Sequence, residues 1–335
     1  MPKSRKTKKS KTLIRNKYVP QRNTRNLFDL MFKYILQESS QQAKIHFVNG
    51  LFGKNFPLDT KVTFPITEST SIQGKKLEHI QSDFIMLVSE ESFIIEVQIR
   101  DDSTIALRIF EYSFAYSKRH NTTINDDGAL VTMRLPERIV LHLESTIHTK
   151  DKVTFRVEQS NGTYFDYETP VYKVIERDVA EFEQKDLQLL LPFYLVKYRQ
   201  EVNRSIDNSL RRREIAEEVE HIILLFEKML ERGCEAGKLT GKDSIMIMER
   251  VVQMYNELYG SFKEFREERM RLERRLRTQW QDYWERGIQE GVQKGIQEGI
   301  QRGIQHGKQE ERAKILGLLR QGCSLEEVER LLAGE

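Results

Sequence analysis

The stretch SFIIEVQIR, Ser92 to Arg100, decides how this chain is read. Phe93, Ile95, Val97 and Ile99 alternate with Ile94, Glu96, Gln98 and Arg100, so a strand here has one apolar face and one partly polar face. In an antiparallel sheet the polar face can simply meet water. The neighbouring residues open a second reading. SDFIMLV, Ser82 to Val88, has strand character too, and only Ser89, Glu90, Glu91 and Ser92 join the two runs. So short a connection predicts an antiparallel hairpin. With Val88 opposite Phe93, Asp83 faces Gln98 and Ile85 faces Glu96, which makes Asp83 and Glu96 diagonal neighbours about 7 Å apart. A register shifted by two residues sets them directly opposite. Either pairing brings two carboxylates together.

Carboxylates that converge repel each other unless a cation sits between them or one takes up a proton. Hard oxygen ligands suit Mg²⁺ or Mn²⁺, and Mg²⁺ keeps most of its positions for water and substrate phosphate oxygens. A site of that kind activates water and stabilises charge on a phosphoryl group, which is the chemistry of phosphodiester hydrolysis.

Asp83 followed by a hairpin and then Glu96, Val97 and Gln98 resembles the metal-binding core of the PD-(D/E)XK nuclease superfamily, in the variant whose final lysine is glutamine. The closer resemblance is to the PD-(D/E)XK family transposases, the group that includes the recombination-promoting nucleases. DLMFK, Asp29 to Lys33, is similar to that group's D-x-x-F-K segment on the first helix. RIFEY, Arg108 to Tyr112, is similar to the arginine and tyrosine of the helix after the E-x-Q strand, and LPFYLVKY, Leu191 to Tyr198, to the segment that closes the catalytic domain. The resemblance runs from about residue 23 to the end of the chain. It implies a restriction-endonuclease-like αβββαβ core with a mixed central sheet, followed by a long helical C-terminal extension. It also implies a Mg²⁺- or Mn²⁺-dependent DNA endonuclease acting in recombination or mobile-element biology, with Asp83 and Glu96 as metal ligands. Gln98 would stand where the superfamily's lysine positions the attacking water, although an amide cannot bring a lysine's positive charge. Arg100 and Lys33 are the candidate replacement cations, and Asp29 is either a third acidic ligand or the i,i+4 ion-pair partner of Lys33. Arg108 and Tyr112 lie one turn apart, either facing substrate or serving as a core arginine bonded to carbonyls beside a packed tyrosine.

With 335 residues, 39% hydrophobic and 31% charged, the chain can bury one good core and still carry a long polar extension. The net charge is +3, but residues 1–22 hold nine Lys or Arg and no acid, which leaves −6 for the remainder. Lys3, Arg5, Lys6, Lys8, Lys9 and Lys11 lie in this arm, expected to be disordered, either binding DNA phosphates without sequence preference or serving as a solubilising tail. Cys234 and Cys323 have no partner at metal-ligand spacing, and none of the seven histidines falls into a zinc-enzyme pattern. No run reaches transmembrane length, and no apolar stretch follows the basic N-terminus as in a signal peptide. The expectation is a cytoplasmic, nucleoid-associated protein.

The periodicity predicts a helix from Asn23 to about Phe47, a strand over Lys61 to Ile66, a loop at Gly74, and a helix from Asp102 or Ser103 to about Lys118. Arg138 to Leu143 reads as a strand, and Val153 to Ile175 as two or three more around Ser160, Asn161 and Gly162. Three regions follow: a basic arm at 1–22, a nuclease-like domain at 23–200, and a helical, coiled region at 201–335. The last holds GIQEGVQKGIQEGIQRGIQHGKQE at 287–310, with glycine at every fourth position from Gly287 to Gly307. A four-residue period overshoots a 3.6-residue turn, so the smooth stripe winds around the helix by about 40° per repeat and suits a wrapping second copy. A homodimer is expected from this region, the other reading being a flexible linker. A short helix at 310–320 and a capping box at Ser324 to Glu327 end the chain in a helical hairpin. The alternative to catalysis is an inactive nuclease fold that binds DNA or assembles with itself.

Overall fold

Ser39 and Ser40 break the first helical run in two. The computed structural model describes residues 21–65, 68–73, 76–81, 85–126, 128–270, 296, 299–301, 303–308, 312 and 315. Helix α1, Gln21–Glu38, ends where the Ser39 hydroxyl donates to the Ile35 carbonyl, and α2, Gln41–Phe52, begins behind Ser40, whose hydroxyl accepts from the Ala43 N–H at 3.2 Å. The one helix expected over this region is therefore two, because a well-placed N-cap starts a helix wherever it stands. Gly50 in α2 passes so near the Lys185 carbonyl that an added Cβ would lie 1.6 Å from its oxygen. That approach requires glycine.

The next strand is shorter than expected: β1 is Val62–Thr63 alone. Where a loop was read around Gly74, a separate two-stranded sheet forms from β2, Glu68–Gln73, and β3, Lys76–Gln81. Then come β4, Ile85–Val88, β5, Glu91–Gln98, and helix α3, Ile105–His120. A small hairpin, β6 at Thr122–Ile124 and β7 at Val131–Met133, leads to β8, Glu137–His142. The 153–175 region is two strands, β9, Lys152–Glu158, and β10, Tyr164–Lys173, joined through Gly162 at a φ of 84°.

Six strands form the central sheet in the order β1-β4-β5-β8-β10-β9. β4 is antiparallel to β5, β5 and β8 are parallel, β8 and β10 are parallel, and β9 is antiparallel to β10. The sheet is mixed, and helices cover both faces. Parallel β5 and β8 require a crossover, and α3 supplies it. Its Ile105 and Ile109 pack with Val140, Tyr167 and Val171. On the other face Phe93 meets Phe52 at 4.7 Å between ring centres, and Phe32 of α1 meets Phe47 and Phe193. Phe28, Phe32, Ile35, Phe47 and Phe93 are fully buried. Each such side chain contributes about 1.5–3 kcal/mol of transfer free energy.

Among the described residues, the helices after β10 are α4, Val179–Gln184, α5, Leu191–Tyr194, α6, Arg199–Arg204, α7, Ser209–Glu235, and α8, Gly241–Tyr259, the last opened by a Thr240/Asp243 capping box. Helix α8 packs on α1, α5 and α7. The chain divides into two compact units, Met1–Gln279 and Trp280–Glu335. The division falls beyond residue 200, the boundary expected from the sequence, because α7 and α8 bury Val219, Ile223, Phe226, Ile247, Val251 and Tyr255 within the first unit. In the second unit the described residues are helical, and Ile296, Ile300 and Ile304 are 56%, 57% and 53% exposed. Among the described residues, nothing outside the helix's own backbone and the chain neighbours lies within 4 Å of where a Cβ would stand at Gly299, Gly303 or Gly307. Gly287, Gly291 and Gly295 lie outside the described residues, as do residues 1–20 of the basic arm with Lys3, Arg5, Lys6, Lys8, Lys9 and Lys11, and all of the terminal helical hairpin but residues 312 and 315.

Candidate active site

Strand β5 lies inside the sheet with a neighbour on each edge and helices over each face, so no face of it meets water. The solvent-facing reading of Glu96 and Gln98 does not hold. Glu96 is 0% exposed and Gln98 3%. The hairpin is also tighter than the pairing of Val88 with Phe93 requires. Val88 pairs with Glu91 and Ile85 with Ile94, around a turn at Ser89 and Glu90 in which Ser89 has a φ of 55°. This is the register shifted by two. Asp83 itself lies outside the described residues.

A buried carboxylate needs hydrogen bonds and an opposite charge. Glu96 has both. Gln98 Nε2 donates to Glu96 Oε1 at 2.9 Å, and Arg108 Nη2, reaching down from α3, donates to the same oxygen. Arg108 Nη1 donates to Asp102 Oδ2 at 3.1 Å. Asp102 is held in turn by the N–H of Thr104 at 2.9 Å and its hydroxyl at 2.7 Å, so it fixes the entry to α3 as well as the arginine. Arg108 thus bonds carboxylates, not the carbonyls of the core-arginine reading. Burial pulls its pKa down, but Glu96, Tyr112 and Asp102 outweigh that, and the guanidinium stands above its ordinary value. Tyr112 packs beside Ile85, Ile94 and Tyr116.

The other residues singled out from the sequence are dispersed. Lys33 Nζ lies 2.8 Å from Asp29 Oδ2 within α1, the i,i+4 pair. Arg100 is exposed beyond the end of β5. The sequence left His142 and Asp101 unmarked as site residues. His142 on β8 pairs in register with Gln98, so both side chains point to the α3 face. It is 4% exposed, and its Nε2 lies 3.2 Å from Asp101 Oδ1, an electrostatic approach without the angle of a well-directed hydrogen bond. Burial lowers the His142 pKa against the pull of Asp101. The signal was present in the alternation of RIVLHL, which puts Val140 and His142 on one face, and in the acidic pair Asp101-Asp102 directly after β5.

Chemically, the described residues offer one buried hard-oxygen donor, Glu96, with a guanidinium and an amide gathered on it. That set suits a divalent ion only with a further oxygen ligand. Among the described residues, no three His, Cys, Asp or Glu side chains gather as a metal site. A groove of about 450 Å³ lies at the opposite end of β5, lined in part by Glu91, Asn121, Arg134 and Glu137, and does not include Glu96.

No family model, curated protein or solved structure matches this chain. Among the described residues, no helix is long and apolar enough to cross a membrane.

Proposed function

We propose that the chain is a metal-dependent phosphodiesterase, and more particularly a DNA endonuclease of the transposase-associated PD-(D/E)XK type. The observation that carries the reading is a fully buried Glu96 with Gln98 two positions on, in the strand at the centre of the sheet. The order α1, β1, β4, β5, α3, β8, with β8 parallel to β5, agrees with a restriction-endonuclease-like core. The β4–β5 register is the one for which the sequence reading sets Asp83 opposite Glu96. In this proposal Asp83 and Glu96 hold Mg²⁺ or Mn²⁺, which when bound supplies an activated water and charge for the phosphoryl oxygens. Gln98 orients, donating from its amide, and Arg108 sets a positive charge against Glu96. DNA is the substrate, the basic arm adds salt-sensitive phosphate contacts, and the glycine-striped helix joins two copies.

A second reading is favoured by one observation: Arg108 already neutralises Glu96. A nuclease fold without catalysis, retained for DNA binding or self-assembly, would have the same internal pairing. Nicking of supercoiled plasmid separates the two. The expected result is cutting with Mg²⁺ or Mn²⁺, none with EDTA, and loss in folded Asp83→Ala and Glu96→Ala proteins. Absence of cutting by the intact protein with either metal would sink the endonuclease reading.

A further inference from the structure

Strand β9 is the outermost strand of the central sheet, with β10 as its only neighbour among the described residues. Its backbone directions follow from two bonds that bracket it: Gln159 N–H donates to Thr163 O, and Val171 N–H donates to Asp151 O, each at 2.8 Å. Odd positions therefore bond inward to β10, and antiparallel alternation turns the N–H and C=O of Lys152, Thr154, Arg156 and Glu158 outward. All four residues are exposed. An open row of this kind is a template for another strand.

The side chains choose which strand. KVTFRVE, 152 to 158, is self-complementary when a second copy lies antiparallel with the two-fold axis at Phe155. Lys152 then faces Glu158 of the other copy, Thr154 faces Arg156, and each of these pairs joins two outward-pointing backbones, as ladder bonding requires. On the opposite face Val153 meets Val157 and Phe155 meets Phe155. The neighbouring registers of correct parity place Lys152 against Arg156, or Arg156 against itself, and like charges directly opposite are destabilising. Beside the apolar stripe, Val157, Phe165 and Phe114 are 41%, 53% and 45% exposed, so the contact has apolar surface on which to extend. Lys152 now pairs with Glu168 at 2.5 Å and Arg156 with Asp166 at 2.7 Å. Those partners lie on β10, within the same sheet, and leave Glu158 available.

We infer that β9 is a self-association edge, joining two copies of this chain into one continuous sheet across a two-fold axis at Phe155. The surface is separate from the glycine-striped helix and independent of the proposed catalysis.

Register gives the test. Residues 152 and 158 of one strand lie about 20 Å apart, as do residue 152 and its own counterpart across the axis, whereas 152 and 158 of opposite copies are ladder partners within disulfide range. Full-length Lys152→Cys and Glu158→Cys proteins are mixed, mildly oxidised and mapped by mass spectrometry. The expected product links 152 to 158 between chains and outnumbers both like-with-like products. No 152–158 linkage, or linkage no more frequent than like-with-like, overturns the proposal. In sedimentation, Glu158→Lys is expected to weaken this association about tenfold through two like-charge pairs, and Lys152→Glu added to it to restore the association. Failure of the double exchange to restore it also counts against the edge.

Discussion

Glu96 occupies a place where a lone charge is costly, and the residues around it supply the hydrogen bonds and opposite charge that a buried carboxylate needs. Gln98 and Arg108 converge on a single carboxylate oxygen, and Asp102 steadies the guanidinium from its far side. Removing the arginine leaves the carboxylate buried with its main charge partner gone. Breaking a fully buried pair costs about 3–5 kcal/mol. The Arg108 side chain is 28% exposed, so solvent screens part of this, and Arg108→Met is expected to cost about 2 kcal/mol. Adding Glu96→Gln should recover much of that loss, because a carboxamide needs no cation. Urea titration of the two single variants and the double variant closes the cycle. A double variant as unstable as the sum of its parts would remove the coupling argued here.

At the scale of elements, the parallel pair β5 and β8 sets Gln98 beside His142, with Asp101 at the strand end. Around the imidazole, Asp101 and Glu176 favour its charged form, while Lys173 on β10 and burial oppose it, burial being the largest. The folded-state pKa therefore lies below the ordinary 6.5. As pH falls through that ordinary value, the unfolded chain takes up a proton that the folded chain resists, so stability is lost on the acid side and kept above it. Urea midpoints should fall more steeply between pH 7 and pH 5.5 for the parent than for His142→Gln, and equal slopes would show that another group carries the dependence. His142 also marks what the sequence made legible. Alternation in SFIIEVQIR and RIVLHL identified both strands, and the helical spacing of Ile105, Ile109, Tyr112 and Tyr116 identified α3, because those signals are local. Registers, the break at Ser40 and the β2–β3 hairpin were not legible, since turn geometry and tertiary packing decide them. The link from Arg108 to Glu96 was hidden for the same reason: twelve positions separate the residues, and only the crossover brings helix and strand together.

Across the whole molecule, the expected boundary at residue 200 does not mark where burial ends. Arg212 grips Glu264 through two hydrogen bonds, of 2.7 and 3.2 Å, and lies over the Phe262 ring. The Tyr259 hydroxyl donates to the Leu195 carbonyl, and the Tyr255 hydroxyl donates to the Phe265 carbonyl at 2.9 Å. Tyr259 is fully buried, and burial raises its pKa well above the ordinary value. Tyr259 fastens α8 to the segment around α5, Arg212 and Tyr255 hold the residues after α8 against α7 and α8, and α8 packs directly on α1, which itself lies against β5. Cutting at residue 200 would strip α7 and α8 away and leave Phe193, Tyr194 and Leu195 exposed. Cutting after Gln279 respects the boundary between the two compact units. A chain ending at 279 should therefore unfold cooperatively with a urea midpoint close to that of the full chain, while one ending at 200 should lose the cooperative transition. The comparison is made by circular dichroism on both truncations. A cooperative, stable 200-residue fragment would mean that the sheet and its first helices carry the fold by themselves, and that α7 and α8 are an attachment to it.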